Sequence, residues 1–307
     1  MQSIRLLDWY REARRDLPWR RTTDPYAIWV SEIMLQQTRV AAVVPYYTRF
    51  LARFPDVGAL ARAREATVLA HWAGLGYYRR ARMLHEAAKQ VAKQGLPDDA
   101  MGLRGLPGIG AYTSHAIASI CFDEPVAVVD GNVERVVMRF CAQAMSKPEV
   151  QQAVDGWIPA DAPGDFNQAV MELGATVCTP RSPKCDACPL ASACLGRAQP
   201  ERFPPARVRP KLRNERRAVK LARSGDRVFL RRIAEGAHVG GMWDLPPSRG
   251  GGEPVGEVTH GILDRRYRIT IHPGRASGEG TWFSPRQLRK IPLATAARKC
   301  LRQTGLF

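Results

Sequence analysis

The chain has 307 residues, a formal net charge of +17 and a pI near 10.1. That length suggests two domains with sizeable cores, and the basic excess points to a polyanionic partner. An opening stretch without an apolar signal core, the lack of any run of eighteen apolar residues, and an odd count of seven cysteines exclude a secreted disulfide scaffold and a helical membrane span, so a soluble intracellular protein is expected.

Residues 1–195 read as helix after helix. Asp24-Pro25 is an N-cap followed by proline at the first helical position, and the helix continues through Tyr26, Ile28, Trp29, Ile33, Met34 and Leu35. Glu32 sits among those apolar residues, where burial would raise its pKa and keep it protonated near neutrality. A second helix covers about 65–73 with Val68, Leu69 and Trp72. A third runs from about Arg79 to Lys93, with Met83, Leu84, Ala87 and Val91 at helical spacing.

Leu106-Pro107-Gly108-Ile109-Gly110 then makes a tight turn before Ala111-Tyr112-Thr113-Ser114-His115. Gly108 and Gly110 permit close approach of backbone to a ligand, and their N–H groups would lie at a helix N-terminus, where a phosphate binds well. Asp130 follows the apolar run Pro125-Val126-Ala127-Val128-Val129 and precedes Gly131, the place of a helix cap.

Cys178, Cys185, Cys188 and Cys194 follow the spacing C-x6-C-x2-C-x5-C, with Pro180, Pro183 and Pro189 between them. Four soft thiolates select zinc or an iron–sulfur cluster. Structural zinc sites usually pair two short knuckles across a longer loop. Here there is one x2 pair and wider flanks, as if the chain wraps a larger object. The remaining Cys121, Cys141 and Cys300 are scattered.

Residues 196–217 contain four prolines and no periodic apolar face, and read as a linker. Charge is uneven: residues 1–195 carry 22 basic and 20 acidic side chains, residues 196–217 carry eight and two, and residues 218–307 carry sixteen and seven. Beyond the linker, Ala218–Leu221, Val228–Leu230, Val255–Ile262 and Tyr267–Ile271 are strand-like, and residues 285–304 close with one or two helices. The expected fold is a mainly α first domain and a small α+β second domain.

Several stretches together carry a resemblance. They are Leu17-Pro18-Trp19-Arg20, Trp29-Val30-Ser31-Glu32-Ile33-Met34-Leu35-Gln36-Gln37-Thr38, Gly74-Leu75-Gly76-Tyr77-Tyr78, the LPGIG hairpin, Val129-Asp130-Gly131-Asn132-Val133, Phe166-Asn167-Gln168-Ala169-Val170-Met171-Glu172-Leu173-Gly174-Ala175 and the cysteine loop. The chain resembles the adenine DNA glycosylase (MutY) family of the helix-hairpin-helix–GPD superfamily over essentially all of residues 1–195. The resemblance implies two helical subdomains, a [4Fe–4S] cluster on the four cysteines, and double-stranded DNA with A:8-oxoguanine or A:G mispairs as the partner. It further implies a monomer in the bacterial cytoplasm, associated with the nucleoid.

Releasing a purine needs an acid for the leaving group and a carboxylate for the oxocarbenium-like sugar. By resemblance Glu32 is the acid that protonates adenine N7, Asp130 faces the sugar, and Asn132 stands near the catalytic water. Trp19, Arg20, Leu35 and Glu172 match residues around the flipped adenine. Gln37, Thr38 and Tyr77 match residues that fill the duplex or contact the opposite base, and Arg181 and Lys184 are expected to touch phosphates. Position 112 is a lysine in the strand-cutting relatives similar to endonuclease III, where the amine forms a Schiff base. Tyr112 cannot make an imine, so a monofunctional enzyme is expected.

The second domain resembles the Nudix-like C-terminal domain of the same family through Val228-Phe229-Leu230-Arg231-Arg232 and Gly240-Gly241-Met242-Trp243-Asp244-Leu245-Pro246. The acidic metal-binding helix of a Nudix hydrolase is absent, so binding without hydrolysis is expected. Aligning His260 with the family's upstream histidine puts Ile262-Leu263-Asp264 where the family commonly has Phe-Ser-His or Ile-Thr-His. The apolar wedge survives while the hydroxyl and imidazole do not, which implies relaxed reading of 8-oxoguanine. Asp264 would be unfavourable near phosphates unless Arg265 or Arg266 neutralises it. Two other functions fit parts of the chain. One is a glycosylase for thymine or uracil opposite G, which the retained Glu32 and the second domain disfavour. The other is a non-catalytic, cluster-containing DNA-binding protein, which intact Glu32 and Asp130 disfavour.

Overall fold

The computed structural model of the protein describes residues 2–205, 212–234, 237, 239–262 and 264–307. The helices run α1 (Gln2–Ala13), α2 (Pro25–Leu35), α3 (Val40–Arg53), α4 (Val57–Arg62), α5 (Glu65–Trp72), α6 (Tyr78–Gln94), α7 (Ala100–Arg104), α8 (Ala111–Cys121), α9 (Gly131–Phe140), α10 (Lys147–Asp155) and α11 (Pro163–Thr176). Strands follow as β1 (Arg213–Leu221), β2 (Arg223–Ser224), β3 (Arg227–Arg232), β4 (Trp243–Asp244), β5 (Gly256–Ile262), β6 (Arg265–Pro273) and β7 (Thr281–Phe283), and α12 (Pro285–Leu288) and α13 (Thr295–Gln303) close the chain. Two compact units form: Met1–Ala61 with Glu86–Arg207, and Arg62–His85 with Val208–Phe307.

In the first unit α2 is the central helix. The Asp24 carboxylate accepts from Tyr26 N at 3.1 Å and Ala27 N at 3.3 Å, Pro25 presets the first turn, and every residue from Tyr26 to Met34 is buried. A helix apolar on all sides belongs inside a bundle. A second core joins Leu6, Leu7 and Tyr10 of α1 to Val133, Val136 and Val137 of α9 and to Phe166, Val170 and Leu173 of α11. Glycine sets how closely α11 approaches its neighbours. A Cβ on Gly164 would lie 2.5 Å from Ser119 O, and one on Gly174 would lie 2.7 Å from Asn132 Cβ.

In the second unit β6 is central to one sheet, parallel to β1 and antiparallel to β5, in the order β1-β6-β5. β2, β3 and β4 form the other, with β7 on β3. Val219, Leu221, Ile269 and Ile271 turn inward against Val228, Leu230, Phe283, Ala297 and Leu301. Residues 248–255 form no helix ahead of β5, in keeping with the missing acidic helix.

Two sequence boundaries are corrected. The division does not fall at residue 195. Segment 62–85 belongs with the C-terminal unit, where Tyr78 is buried and its hydroxyl donates to Leu293 O at 3.4 Å. The linker 196–217 is shorter than its composition suggests. Leu195 N and Gly196 N bond back to Phe140 O and Arg139 O, and residues 213–217 already belong to β1. The dense charges of that strand mask its alternation.

Candidate active site

α2, α8, α9 and α11 bring the functional side chains to one pocket of about 220 Å³. Its lining includes Trp19, Arg20, Glu32, Leu35, Thr38, Tyr112, Asp130, Asn132 and Glu172, so nine sequence-predicted residues converge although they are spread over more than 150 positions. Gln168 and Met171 also stand in its walls.

The two carboxyl groups are held differently. Glu32 is 5% exposed, and its Oε2 has no hydrogen-bond partner among the described residues. Burial pushes its pKa up to about 7, the Asp130 charge adds to the rise, and a hydrogen bond with Tyr112 and the charge of Arg20 pull the other way. Glu32 is therefore poised to hold a proton at neutrality. Asp130 caps α9: its Oδ1 accepts from Asn132 N and Val133 N, both at 2.8 Å, and Oδ2 accepts from Asn132 Nδ2 at 2.9 Å. Backbone geometry thus aims Asp130 into the pocket as a fixed acceptor. Burial and the charges of Glu32 and Asp130 lift the Tyr112 phenol well above its usual pKa, so it stays a neutral donor, 3.3 Å from Met171 Sδ.

Glu172 is fully buried beneath the pocket. Arg15 clasps it through Nε at 2.7 Å and Nη2 at 2.6 Å, and Arg20 Nη2 adds a bond at 2.9 Å. Burial alone would raise its pKa, but the bonds from Arg15 and Arg20 outweigh that and hold it at about 2. Trp19 packs edge-on against Tyr47, with ring centroids 5.4 Å apart.

Arg15, Met171, Gln168, Arg135 and Arg139 were missed by the sequence reading. The last two had a signal: they stand four apart on α9, whose apolar residues leave them one common face. Arg135 Nε donates to Cys178 O at 2.8 Å, and its Nη2 donates to Asn132 Oδ1 at 2.9 Å and Gly174 O at 2.6 Å. Arg135 therefore joins the cysteine loop to the residue that holds Asp130. Arg139, 3% exposed, reaches Thr179 O at 2.7 Å, Pro200 O at 2.8 Å, Phe203 O at 2.9 Å and Cys178 Sγ at 3.5 Å.

Cys178, Cys185, Cys188 and Cys194 line one small cavity of about 30 Å³ with Lys184 and Arg139. Burial, with the other three sulfurs adding to it, pushes the Cys188 thiol up to about 11, so thiolates packed this way call for positive charge between them. Among the described residues no three His, Cys, Asp or Glu converge on a single metal ion. Four sulfur donors around a common space are the ligand chemistry of an iron–sulfur cluster or of zinc.

The expected DNA contacts fall into three groups. Gln37 and Tyr77 both take left-handed backbone, φ 55° and 49°, which for non-glycine residues stores strain of a kind that gathers at functional sites. Gly108 is also left-handed, at φ 83°, and Gly110 caps α8 with open space where its Cβ would stand. Arg181 and Lys184 are exposed on the cysteine loop. Tyr77 belongs to the other unit, where it lines a pocket of about 270 Å³ with His260 and Ile262. Leu263 lies outside the described residues. Asp264 stands 3.8 Å from Arg213, and Arg265, whose pKa the Asp264 charge also helps to raise, bonds Glu215.

The model of the HhH-GPD superfamily base excision DNA repair protein matches residues 30–160, which include Glu32, Tyr112, Asp130 and Asn132. The iron-sulfur binding domain of endonuclease III matches residues 178–194. An adenine DNA glycosylase of Mycolicibacterium smegmatis is 46% identical over 199 residues, covering 62% of this chain and 68% of that protein. The chain belongs to the adenine DNA glycosylase family. The chain carries the [4Fe–4S] cluster of that family, in the iron-sulfur binding domain of residues 178–194. The adenine DNA glycosylase of Homo sapiens is 45% identical over 214 residues, covering 64% of this chain and 39% of that protein. That of Arabidopsis thaliana is 39% identical over 297 residues, covering 80% and 47%. The chain thus spans less than half the length of these two relatives. A solved thermostable thymine-DNA glycosylase aligns at 28% identity and TM-score 0.60, covering 64% of this chain and 94% of its own. Endonuclease III trapped on DNA aligns at 22% identity and TM-score 0.56, a likeness of fold.

Proposed function

We propose that the chain is a monofunctional glycosylase that flips adenine out of duplex DNA, where it is mispaired with 8-oxoguanine or guanine, and hydrolyses its N-glycosidic bond. The observation that carries this reading is the pairing, in one pocket, of a buried Glu32 with pKa about 7 and an Asp130 fixed by three N–H donors. Glu32 gives its proton to N7 of the departing adenine, which turns a poor leaving group into a neutral one. Asp130 stabilises the positive charge that builds on the sugar. Asn132 orients Asp130 and the attacking water. Tyr112 donates to Glu32 or to the sugar and forms no imine. Trp19, Arg20, Leu35 and Glu172 form the walls that receive the base. Gln37, Thr38, Gly108, Gly110, Arg181 and Lys184 hold the duplex. When bound, the cluster supplies structural rigidity to the loop 178–194, and every chemical step is assigned to side chains.

The C-terminal unit is proposed to read the opposite base without hydrolysing a nucleotide, with Tyr77 and Ile262 close to it. A protein of this kind acts as a monomer on chromosomal DNA, in the cytoplasm and at the nucleoid. The test is single-turnover base release from matched duplexes with A opposite 8-oxoguanine, A opposite G, or T opposite G. Adenine release from the first two is expected, with modest discrimination between them because Leu263 and Asp264 replace a hydroxyl and an imidazole. Release of thymine alone would overturn the adenine reading in favour of the thymine enzymes. Release of nothing by iron-loaded protein would leave a DNA-binding module. A borohydride-trapped complex with wild-type protein would contradict the role given to Tyr112.

A further inference from the structure

The sheet β1-β6-β5 has one face in the core, and on its other face the end around Arg216, Arg266 and Arg268 lies in solvent while the end around His272 is covered. Val219, Leu221, Ile269 and Ile271 are buried, so their alternates Asn214, Arg216, Arg266 and Arg268 face outward, and all four are exposed. Register places Asn214 beside Arg266 and Arg216 beside Arg268. On the other flank the outward partners of Arg266 and Arg268 are Gly261 and Thr259, too small to cover them. Like charges directly opposite across strands destabilise a sheet, so this arrangement costs folding free energy that a hydrophobic or mixed face would not.

At the inward positions of this sheet each arginine has an acid. Arg217 bonds Asp244 at 2.7 Å, Arg265 bonds Glu215, and Arg213 stands 3.8 Å from Asp264. On the outer face Glu257 meets Arg268 at 2.6 Å, and no acidic partner of Arg216 or Arg266 is found among the described residues. Within this sheet the unmatched arginines therefore lie on the outer face. Side chains two residues apart on a strand repeat at about 7 Å, comparable to successive phosphates along one nucleic-acid strand. Guanidinium forks match phosphate oxygens in pairs.

We propose that this outer face is a phosphate-binding surface for duplex DNA, with Arg216, Arg266 and Arg268 as its contacts. It rests on the reading of the chain as a DNA-acting protein, but it is separate from the pocket and from base readout. The face adds affinity that is independent of sequence and lesion.

The experiment uses the full, iron-loaded chain and a perfectly matched duplex, so it does not depend on adenine release. Binding is measured against salt concentration for wild type, for the triple change R216Q/R266Q/R268Q, and for a control, R223Q/R227Q, on β2 and β3. The triple variant should bind about tenfold more weakly at physiological salt and lose about two to three from the slope of log K against log salt. The control should stay near wild type, and R216K/R266K/R268K should keep the slope. A single charge reversal, Arg216→Glu, separates binding from folding. It sets opposite charges side by side with Arg268, so the thermal midpoint should hold or rise while DNA affinity falls. An unchanged affinity and slope in the triple variant would overturn the proposal, whatever happens to binding of RNA or anionic vesicles. So would equal losses in the control. Loss of base release with these slopes intact would count against the glycosylase reading and not against this surface.

Discussion

Glu32 and Asp130 share a pocket, yet one is surrounded by apolar side chains and the other by N–H donors. Under the proposed function, that difference makes Glu32 the acid and Asp130 the acceptor. Replacing Glu32 with Gln should lower single-turnover base release by about 10²–10⁴-fold, the usual worth of a general acid, while duplex affinity changes less than twofold. The same change should stabilise the fold above neutrality. Glu32 titrates near 4.5 when unfolded and at about 7 when folded, so its contribution is fully present below pH 4.5 and is lost as pH rises through 7. Glu32→Gln should therefore gain on the order of 1–3 kcal/mol over wild type at pH 8 and little at pH 4.5, read from urea melts. Base release by wild type should decline above about pH 7 for the same reason. A rate flat to pH 9 would remove Glu32 as the proton donor. Glu172 is a case of the opposite sign: its pKa of about 2 gives stability that is present above 4.5 and lost only as pH falls through 2.

At the scale of elements, close contacts between α9, α11 and the cysteine loop place the acceptor. Gly174 lets α11 lie against Asn132, and a Cβ there would stand 2.7 Å from Asn132 Cβ and 3.1 Å from its carbonyl oxygen. Gly174→Ala should shift Asn132 and with it Asp130, slowing base release at least tenfold with a loss of about 1–3 kcal/mol in stability. Unaltered rates would show that α9 yields freely. Gly196 closes the cysteine loop: its Cβ would lie 2.3 Å from Arg139 O, and its N–H donates to that same oxygen at 2.9 Å. Gly196→Ala should lower iron bound per chain and the broad visible absorbance of the brown protein, as metal analysis and spectra would record. Full iron content in that variant would mean that Cys194 does not depend on the turn after it.

Across the whole molecule, the units do not follow chain order. Segment 62–85 is sequentially inside the helical region and structurally part of the C-terminal unit. Tyr78, 2% exposed, is covered there. A fragment ending at residue 195 should therefore melt several degrees below the helical transition of the full chain, since about 1 kcal/mol corresponds to a few degrees in domains of this size. Equal midpoints in calorimetry would show that 62–85 is held without the C-terminal residues. The net charge is concentrated in residues 196–307, and the sheet arginines account for part of it in a form that local sequence does not reveal.

Motif spacing alone was enough for the run of helices, the cap at Asp24 and the turn through Gly108 and Gly110, because each is a local demand of backbone chemistry. It was also enough to set Tyr112 apart from an amine. Charge obscured the start of β1, where Glu215 and Arg217 occupy inward positions that apolar residues would have marked. Tertiary structure decided the rest. Arg15 meets Glu172 across 157 positions, and Arg213 meets Asp264 across 51, pairings that no local pattern encodes. Arg135 joins Cys178 to Asn132 only because α9 and α11 pack closely at Gly174. The pKa of Glu32 likewise follows from burial on every side, a property of the assembled core.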